Sequence, residues 1–367
     1  MAAAGIDGSY MSDSVEGAIV NVPSQTRGHE GALPPWAGMT ESALYRMSQS
    51  RSLRKYLGGP YLRVNSWIWR HLPASLSSWR LVRAYGVHLH GLIQLRAARR
   101  QYVGTFFFRN RPELELLIRL LDQKRQGSTL DFSVLACSKG AEVYSVSYAI
   151  RCARPDLKVS LRAVDIAKDV LEFAEGGVYA LTSSGVSGAL RSGSVAQGRD
   201  VGMNTFTEQG ASIFERMSSG EMEAMFDRDG NQVKVKPRFR EGITWHLGDA
   251  GDPDLAGVLG TQDIVMANRF LCHMQPAEAE RCLRNLARLV KPGGYLFVSG
   301  VDLGVRSKVA RELAWKPVIE LIREIHEGDP SLRRGWPLEY WGLEPLDQGR
   351  VDCKVRYASV FQLGGAV

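Results

Sequence analysis

Four short stretches combine residue types and spacings that could hold a nucleoside-like ligand or act on one. The first is Leu135-Ala136-Cys137-Ser138-Lys139-Gly140-Ala141-Glu142, set between an apolar run and a helical pattern. In a doubly wound fold such a turn lies at the carboxyl ends of the strands, where ligands bind. Gly140 lets the backbone approach a ligand closely, and the helix start offers unpaired N–H groups; the turn also needs a glycine for its conformation alone, and the two readings compete. The second is Asp165, which ends the apolar run from Val159. A carboxylate there accepts hydrogen bonds from both ribose hydroxyls, in competition with an N-cap for the next helix. The third, Lys291-Pro292-Gly293-Gly294, reads as a tight turn between an amphipathic helix and a strand. The fourth is Thr105-Phe106-Phe107-Phe108-Arg109, whose default reading is core aromatics beside a surface charge.

These stretches need a scaffold, and the hydrophobic pattern supplies one. Leu130–Leu135, Lys158–Val164, Ile243–Leu247, Asp263–Ala267 and Tyr295–Ser299 read as strands, and Glu142–Ala153, Asp169–Glu175 and Ala277–Val290 as helices. Another helix follows Pro112, which fits a first helical turn. Alternation of this kind predicts an α/β fold with a mostly parallel sheet. Met225–Val235, with its Asp-Gly-Asn turn, reads as a hairpin, and Val355–Leu363 as a last strand. Leu81, Tyr85, His88, Leu89 and Leu92 form one apolar stripe of a helix further upstream. We expect a disordered tail over 1–38, a basic helical region over 39–104 and the α/β domain over 105–367, with an insertion at about 183–240 that includes a mobile loop from Ser183 to Gly202.

The 367 residues carry a net charge of +7, with 44% hydrophobic and 23% charged residues, ordinary for a globular protein. The charge is unevenly spread: no Asp or Glu occurs from residue 42 to 112, where arginines alternate with Tyr56, Tyr61, Trp67, Trp69 and Trp79. Such a stretch suits an acidic protein, an anionic membrane surface or an anionic small molecule, against a plain basic face over the site. Nucleic acid is disfavoured because no recognised motif accompanies the charge. Five scattered cysteines without a C-x-x-C pair argue against a disulfide framework or a zinc site, and with no secretory signal or transmembrane run they point to the cytoplasm. His88 and His90 lack a third metal ligand and read as packing. The G-x-G-x-x-G fingerprint of dehydrogenases is absent.

Taken in order, TFFFR (105–109), ACSKGAEVYS (136–145), AVDIAKDVLEFAEGGVY (163–179), NRF (268–270) and KPGG (291–294) resemble the motifs of the CheR-type methyltransferase family: T-x-F-F-R, G-C-S-T-G-E-E-P-Y-S, a D-containing strand end followed by L-x-x-A-x-x-G-x-Y, C-R-N-V and P-G-G. The resemblance spans roughly residues 103 to 300. It implies a Rossmann-like class I methyltransferase domain with S-adenosylmethionine (SAM) as cofactor. It further implies that Thr105 and Arg109 contact the cofactor, with Arg109 near the transferred methyl, and that Ala136, Ser138, Gly140 and Glu142 line its methionine end. Asp165 would hold the ribose, Asp249 would lie near the adenine, and Asn268 and Arg269 would form the floor.

The motifs also depart from the family. Ala136 replaces a glycine, Ala141 replaces the first of two glutamates, the Arg-Asn pair is inverted as Asn268-Arg269, and His273 stands where the family has a tyrosine. These departures favour an oxygen or nitrogen acceptor on a small or carrier-bound molecule over the family's protein glutamate; a non-catalytic SAM-binding scaffold is the third reading. A hydroxyl or amine acceptor needs a base, and His273 is the expected one. Trp315, Trp336, Tyr340 and Trp341 are expected to shape the acceptor pocket or to lie in the core.

Overall fold

The computed structural model describes residues 59–76, 79–100, 102–181 and 212–364. The expected tail over 1–38, the start of the helical region and the Ser183–Gly202 loop lie outside these residues.

Two antiparallel helices come first, α1 (Gly59–His71) and α2 (Arg80–Arg96), then α3 (Arg111–Leu121). The alternating unit follows: β1 (Thr129–Leu135), α4 (Ala141–Ala153), β2 (Lys158–Asp165), α5 (Lys168–Gly176). A small antiparallel sheet comes next, formed by β3 (Val178–Ala180), β4 (Phe226–Asp229) and β5 (Gln232–Val235), with α6 (Ser219–Met225) between β3 and β4. The main sheet resumes with α7 (Pro237–Arg240), β6 (Ile243–Leu247), α8 (Leu255–Leu259), β7 (Gln262–Met266), α9 (Pro276–Leu289) and β8 (Val290–Phe297). It closes with α10 (Leu303–Glu312), β9 (Lys316–Pro317), α11 (Ile322–Glu327), α12 (Pro330–Gly335), α13 (Cys353–Tyr357) and β10 (Val360–Gln362).

The main sheet has seven strands in the order β6-β2-β1-β7-β8-β10-β9. The five from β6 to β8 are parallel, and β10 runs antiparallel to both β8 and β9. Strand order therefore reverses between β1 and β7, which opens a crevice at their carboxyl ends. The central strands are apolar on both faces because helices cover both: Leu116, Leu117, Val143 and Val146 lie in one core cluster, and Leu255, Leu283, Leu286 and Val309 in the other. This is the Rossmann-like class I methyltransferase fold, preceded by a helical region.

Some expectations fail locally. The helix expected over 277–290 ends at Leu289, and Val290–Gly294 already belongs to β8, where a register shift opposite Gln262/Ile264 absorbs the extra residues. Gly293 takes φ +80°, and a Cβ on Gly294 would come within 2.7 Å of the Asp263 carbonyl oxygen, so both glycines serve the irregular strand start. The expected strand over 355–363 is helical through Tyr357, and only Val360–Gln362 pairs. In α2 the buried face is Gly86, Leu89, His90 and Leu92, while Leu81 is 78% exposed, so the expected stripe is rotated.

The rotation has a partner as its cause. A Cβ on Gly86 would lie 2.2 Å from the Trp336 ring, so the missing side chain admits the indole. His90 Nδ1 bonds the Pro337 carbonyl at 3.1 Å, and Gln94 donates to Asp302 at 3.1 Å. Much of the basic stretch is likewise engaged internally: Arg83 pairs with Asp347, Arg99 with Asp302 and Arg111 with Glu221. Arg63, Arg70 and Arg80 remain at the surface with Trp67 and Trp79.

Candidate active site

A cleft of about 290 Å³ opens at the carboxyl ends of the central strands. On one wall, the loop from β1 to α4 carries two left-handed residues, Ala136 (φ +52°) and Ser138 (φ +49°), both lining the cleft. Such conformations are costly for residues with a Cβ, and the surrounding bonds hold them. Ser138 N–H donates to Asp165 Oδ2 at 2.8 Å, and its hydroxyl donates to the Val103 carbonyl at 2.8 Å. Asp165 Oδ1 accepts from Ala167 N–H at 3.0 Å. Asp165 thus ties the ends of β1 and β2 together at the cleft, and burial raises its pKa above the usual carboxylate range. Gly140 does not line the cleft: a Cβ there would meet Ala174 and the Tyr144 ring at 3.1 Å, so its bareness serves helix packing.

Thr105 also lines the cleft, while Phe107 and Phe108 turn away from it into an aromatic cluster under the small sheet. Phe107 stacks on Phe214 and meets Tyr179 and Phe226 edge-on. The middle of TFFFR therefore anchors its two ends. Arg109 bends back to donate to the Gly104 carbonyl at 2.7 Å and lies over the Phe106 ring.

The floor is built around Asn268, just past β7. Its amide nitrogen donates to Glu113 at 3.0 Å and to Glu142 at 2.9 Å, and its oxygen accepts both the backbone N–H and the hydroxyl of Ser299. One amide so bonds two acids from α3 and α4, with every donor and acceptor used. Burial, with Glu142 nearby, pushes the Glu113 carboxyl up to about 8, and burial also raises Glu142. Arg269 follows with φ +66°, its backbone pressed against Gly300, where a Cβ would lie 2.7 Å from Arg269 Cα.

Beside the floor, arginines gather on one buried acid. Arg269 donates to Asp329 Oδ2 at 2.9 Å and Arg216 to Oδ1 at 3.1 Å. With Arg109 also near, these cations hold the Asp329 carboxyl far below the usual range against the opposing effect of burial. Burial, Arg269 and Arg216 in turn lower Arg109 to about 10. Three guanidinium groups, Arg109, Arg216 and Arg269, thus gather around the Asp329 carboxylate, while burial raises the neighbouring Glu113 and Glu142.

His273 lines the cleft on a short 3-10 turn after β7, and its Nδ1 bonds Tyr340 Oη at 2.6 Å. Burial, then Arg269, Arg99 and Arg109, lower its pKa to about 4. The ring is therefore neutral at pH 7 and only weakly basic. Asp249 lines the far end of the cleft and accepts from Gly251 N–H at 2.7 Å. Of the four C-terminal aromatics, Trp315 packs on Phe361 in the core and Trp336 under α2, while Tyr340 reaches the site with Trp341 against it.

Sequence reasoning missed Glu113, Arg216, Asp329 and Ile166. Glu113 reads as an ordinary first-turn acid of α3, and Asp329-Pro330 carries only the mark of a helix start, which it also is, accepting from Ser331. Ile166, 54% exposed next to Asp165, is a large apolar side chain left open at a cleft wall, which the strand pattern does not reveal.

The donor set suits a nucleoside bearing an amino-acid tail. Asp165 offers a carboxylate for a ribose diol, Ile166 an apolar surface for a base, and Glu142 a carboxylate for an ammonium group. Comparison with family models agrees. Residues 104–213 match the family model for the CheR methyltransferase SAM-binding domain, and residues 195–298 match a general methyltransferase domain. An uncharacterized 104.1 kDa protein of Rhodobacter capsulatus is 25% identical over 227 residues, 58% of this chain and 20% of that protein. The probable biofilm formation methyltransferase WspC of Pseudomonas aeruginosa is 24% identical over 234 residues, 62% of this chain and 48% of that protein. The chain thus spans less than half the length of these curated relatives. Among solved structures, magnesium protoporphyrin IX methyltransferase of Synechocystis with bound SAM aligns over 67% of this chain and 90% of that one, at 14% identity and a TM-score of 0.31. The fold is that of a class I SAM-dependent methyltransferase. More narrowly, residues 104–213 are those that match the CheR methyltransferase SAM-binding domain, and SAM is the cofactor such a domain takes.

Among the described residues, no group of His, Cys, Asp and Glu could hold a metal ion, and no helix is long and apolar enough to cross a membrane.

Proposed function

We propose that the protein transfers a methyl group to an acceptor oxygen that is already anionic, a carboxylate on a small or carrier-bound molecule. The observation that carries this is a local group of arginines beside the floor: Arg109 and Arg269 line the cleft, and with Arg216 they gather on one buried carboxylate, Asp329. An ammonium acceptor would be repelled beside the Arg109 and Arg269 guanidinium groups, and a neutral hydroxyl would need a base that His273, lowered to about 4, does not provide.

SAM supplies a methyl made electrophilic by the sulfonium. Asp165 is assigned to the ribose, Ala136, Ser138 and Glu142 to the methionine end, and Thr105 to the cofactor wall. Asp249 and Ile166 are assigned to the adenine side, and Asn268 holds Glu142 in place. Arg109 and Arg269 draw in and orient the acceptor carboxylate. Its oxygen forms the new C–O bond as the methyl–sulfur bond breaks, and no proton needs removing. The enzyme's remaining work is alignment and exclusion of water.

A glutamate side chain on a protein, the acceptor that the CheR-type resemblance implies, has the same chemistry and is the second reading. The division into a tail over 1–38, a helical region over 39–104 and a methyltransferase domain over 105–367 belongs to this proposal, as do a cytoplasmic location and an acidic protein partner for the exposed Arg63, Arg70 and Arg80 face.

Two measurements test the reading. Calorimetric titration with S-adenosylhomocysteine should show micromolar or tighter binding, weakened at least tenfold by Asp165→Ala. Incubation with methyl-labelled SAM and a cell extract should give label released as methanol by mild base, the mark of a methyl ester. Base-stable label would place the methyl on nitrogen or an ether oxygen and overturn the carboxylate assignment.

A further inference from the structure

His273 is held from two sides by residues outside the five motifs named above. Tyr340 Oη lies 2.6 Å from Nδ1. The phenol keeps its proton at neutral pH, since burial pushes it up to about 12. The Arg100 backbone N–H is its other partner and can only donate to it, so the hydroxyl proton is free to go to Nδ1. A hydroxyl proton directed at Nδ1 makes Nδ1 the acceptor and leaves the ring proton on Nε2.

Arg99 secures both members of that pair. It donates to the carbonyls of Cys272 and Met274, which flank His273, at 3.1 and 2.8 Å. Its guanidinium also lies over the Tyr340 ring, 5.5 Å from the centroid. Asp302 fixes Arg99 in turn through a 2.9 Å ion pair, with the Arg99 side chain 1% exposed. One buried arginine thus sets the backbone on either side of the histidine and seats the tyrosine that orients its ring.

We propose that Arg99 and Tyr340 are positioning residues that hold His273 as a neutral, Nε2-protonated hydrogen-bond donor directed at the acceptor carboxylate. The assignment rests on the carboxylate reading above for its target, but not for its tautomer. It replaces the base expected at this position by a donor, which suits an acceptor with no proton to lose. The charged and titratable groups facing the ring are Arg269, Arg99 and Arg109, all cationic, with Tyr340 hydrogen-bonded to it and the Tyr102 ring alongside. The three cations oppose ring protonation, so the donor form persists through neutral and mildly acid pH.

The test is long-range ¹H–¹⁵N NMR of histidine side chains in the full-length protein saturated with S-adenosylhomocysteine, with signals assigned by His273→Gln. We expect the Nε2–H tautomer from pH 8 down to about 5. Tyr340→Phe, which removes only the hydroxyl, should give a mixture of tautomers while affinity for S-adenosylhomocysteine stays within about twofold of wild type. Arg99→Lys should broaden the same signal. Acetate, added as a probe carboxylate, should shift the Nε2 resonance in wild type. An Nδ1–H tautomer, or an imidazolium at pH 7, would overturn the proposal. An Nε2–H tautomer that acetate leaves unmoved would support the Tyr340 and Arg99 assignment and instead sink the carboxylate acceptor.

Discussion

The Asn268 amide donates to the Glu113 carboxyl at 3.0 Å, joining the end of β7 to the first turn of α3 beneath the cleft. Glu113 is buried, and its raised pKa has a stability consequence with a definite sign. In the unfolded chain it ionises near pH 4.3; in the folded protein it stays protonated up to about 8. Between these values the native state binds the extra proton, so unfolding free energy falls as pH rises through this window. Urea denaturation at intervals from pH 4.5 to 8.5 should show the wild type losing stability relative to Glu113→Gln, at up to about 1.4 kcal/mol per pH unit before solvent relaxation reduces it. Parallel curves for the two proteins would reject the assignment.

Replacement of Asn268 by Ala removes the donor shared by two acids and the acceptor of Ser299. The loss should be about 2–4 kcal/mol at pH 7, read from the denaturation midpoint. Binding of S-adenosylhomocysteine should weaken as well, because Glu142 loses its fixed orientation.

Asp329→Asn leaves Arg216 and Arg269 without their shared countercharge. Stability should drop by about 3–5 kcal/mol at pH 7. The native Asp329 carboxyl is held far below its unfolded value near 3.9, so its contribution is present above that pH and is lost as pH falls toward the folded pKa. The stability gap between wild type and variant should therefore be constant from pH 5 to 8 and close in strong acid.

Ala136→Gly should stabilise. Alanine at φ +52° bears a steric cost of about 1–2 kcal/mol that glycine avoids, offset by glycine's greater entropy loss of about 0.5–1 kcal/mol. A net gain of up to about 1 kcal/mol in thermal unfolding is the expected result; a loss would mean that the alanine methyl makes contacts worth more than the strain.

Much of this was legible in the residues, because strand and helix periodicities respond to burial on the main sheet. Ile243–Leu247 matches the strand read from its pattern, and β1, β2, α4 and α5 differ from theirs by a residue or two at their ends. The pattern misled where a distant partner decides the matter. Leu81 belongs to an apolar stripe, yet Gly86 faces the core because Trp336, far away in sequence, needs the space. Val355–Tyr357 has strand-like composition but lies in a helix whose Arg356 and Tyr357 bond Glu344. At the site, motif residues could be named from their order, whereas Asp329 and Arg216 could not, since neither spacing nor residue type links a buried acid to arginines roughly 60 and 110 positions upstream.

The reach of Arg99 across to Cys272, Met274 and Tyr340 also bears on how such a protein can be divided or recombined. The chain ahead of the first motif is not a detachable module beside a self-sufficient catalytic unit, since a buried side chain from it holds the backbone around His273, which lines the cleft. A fragment beginning at Thr105 would retain the strands under the cleft and lose the Arg99 contacts that hold His273 and Tyr340. Exchanging the helical region for another would unseat His273 unless Arg99, Asp302 and Tyr340 travelled together.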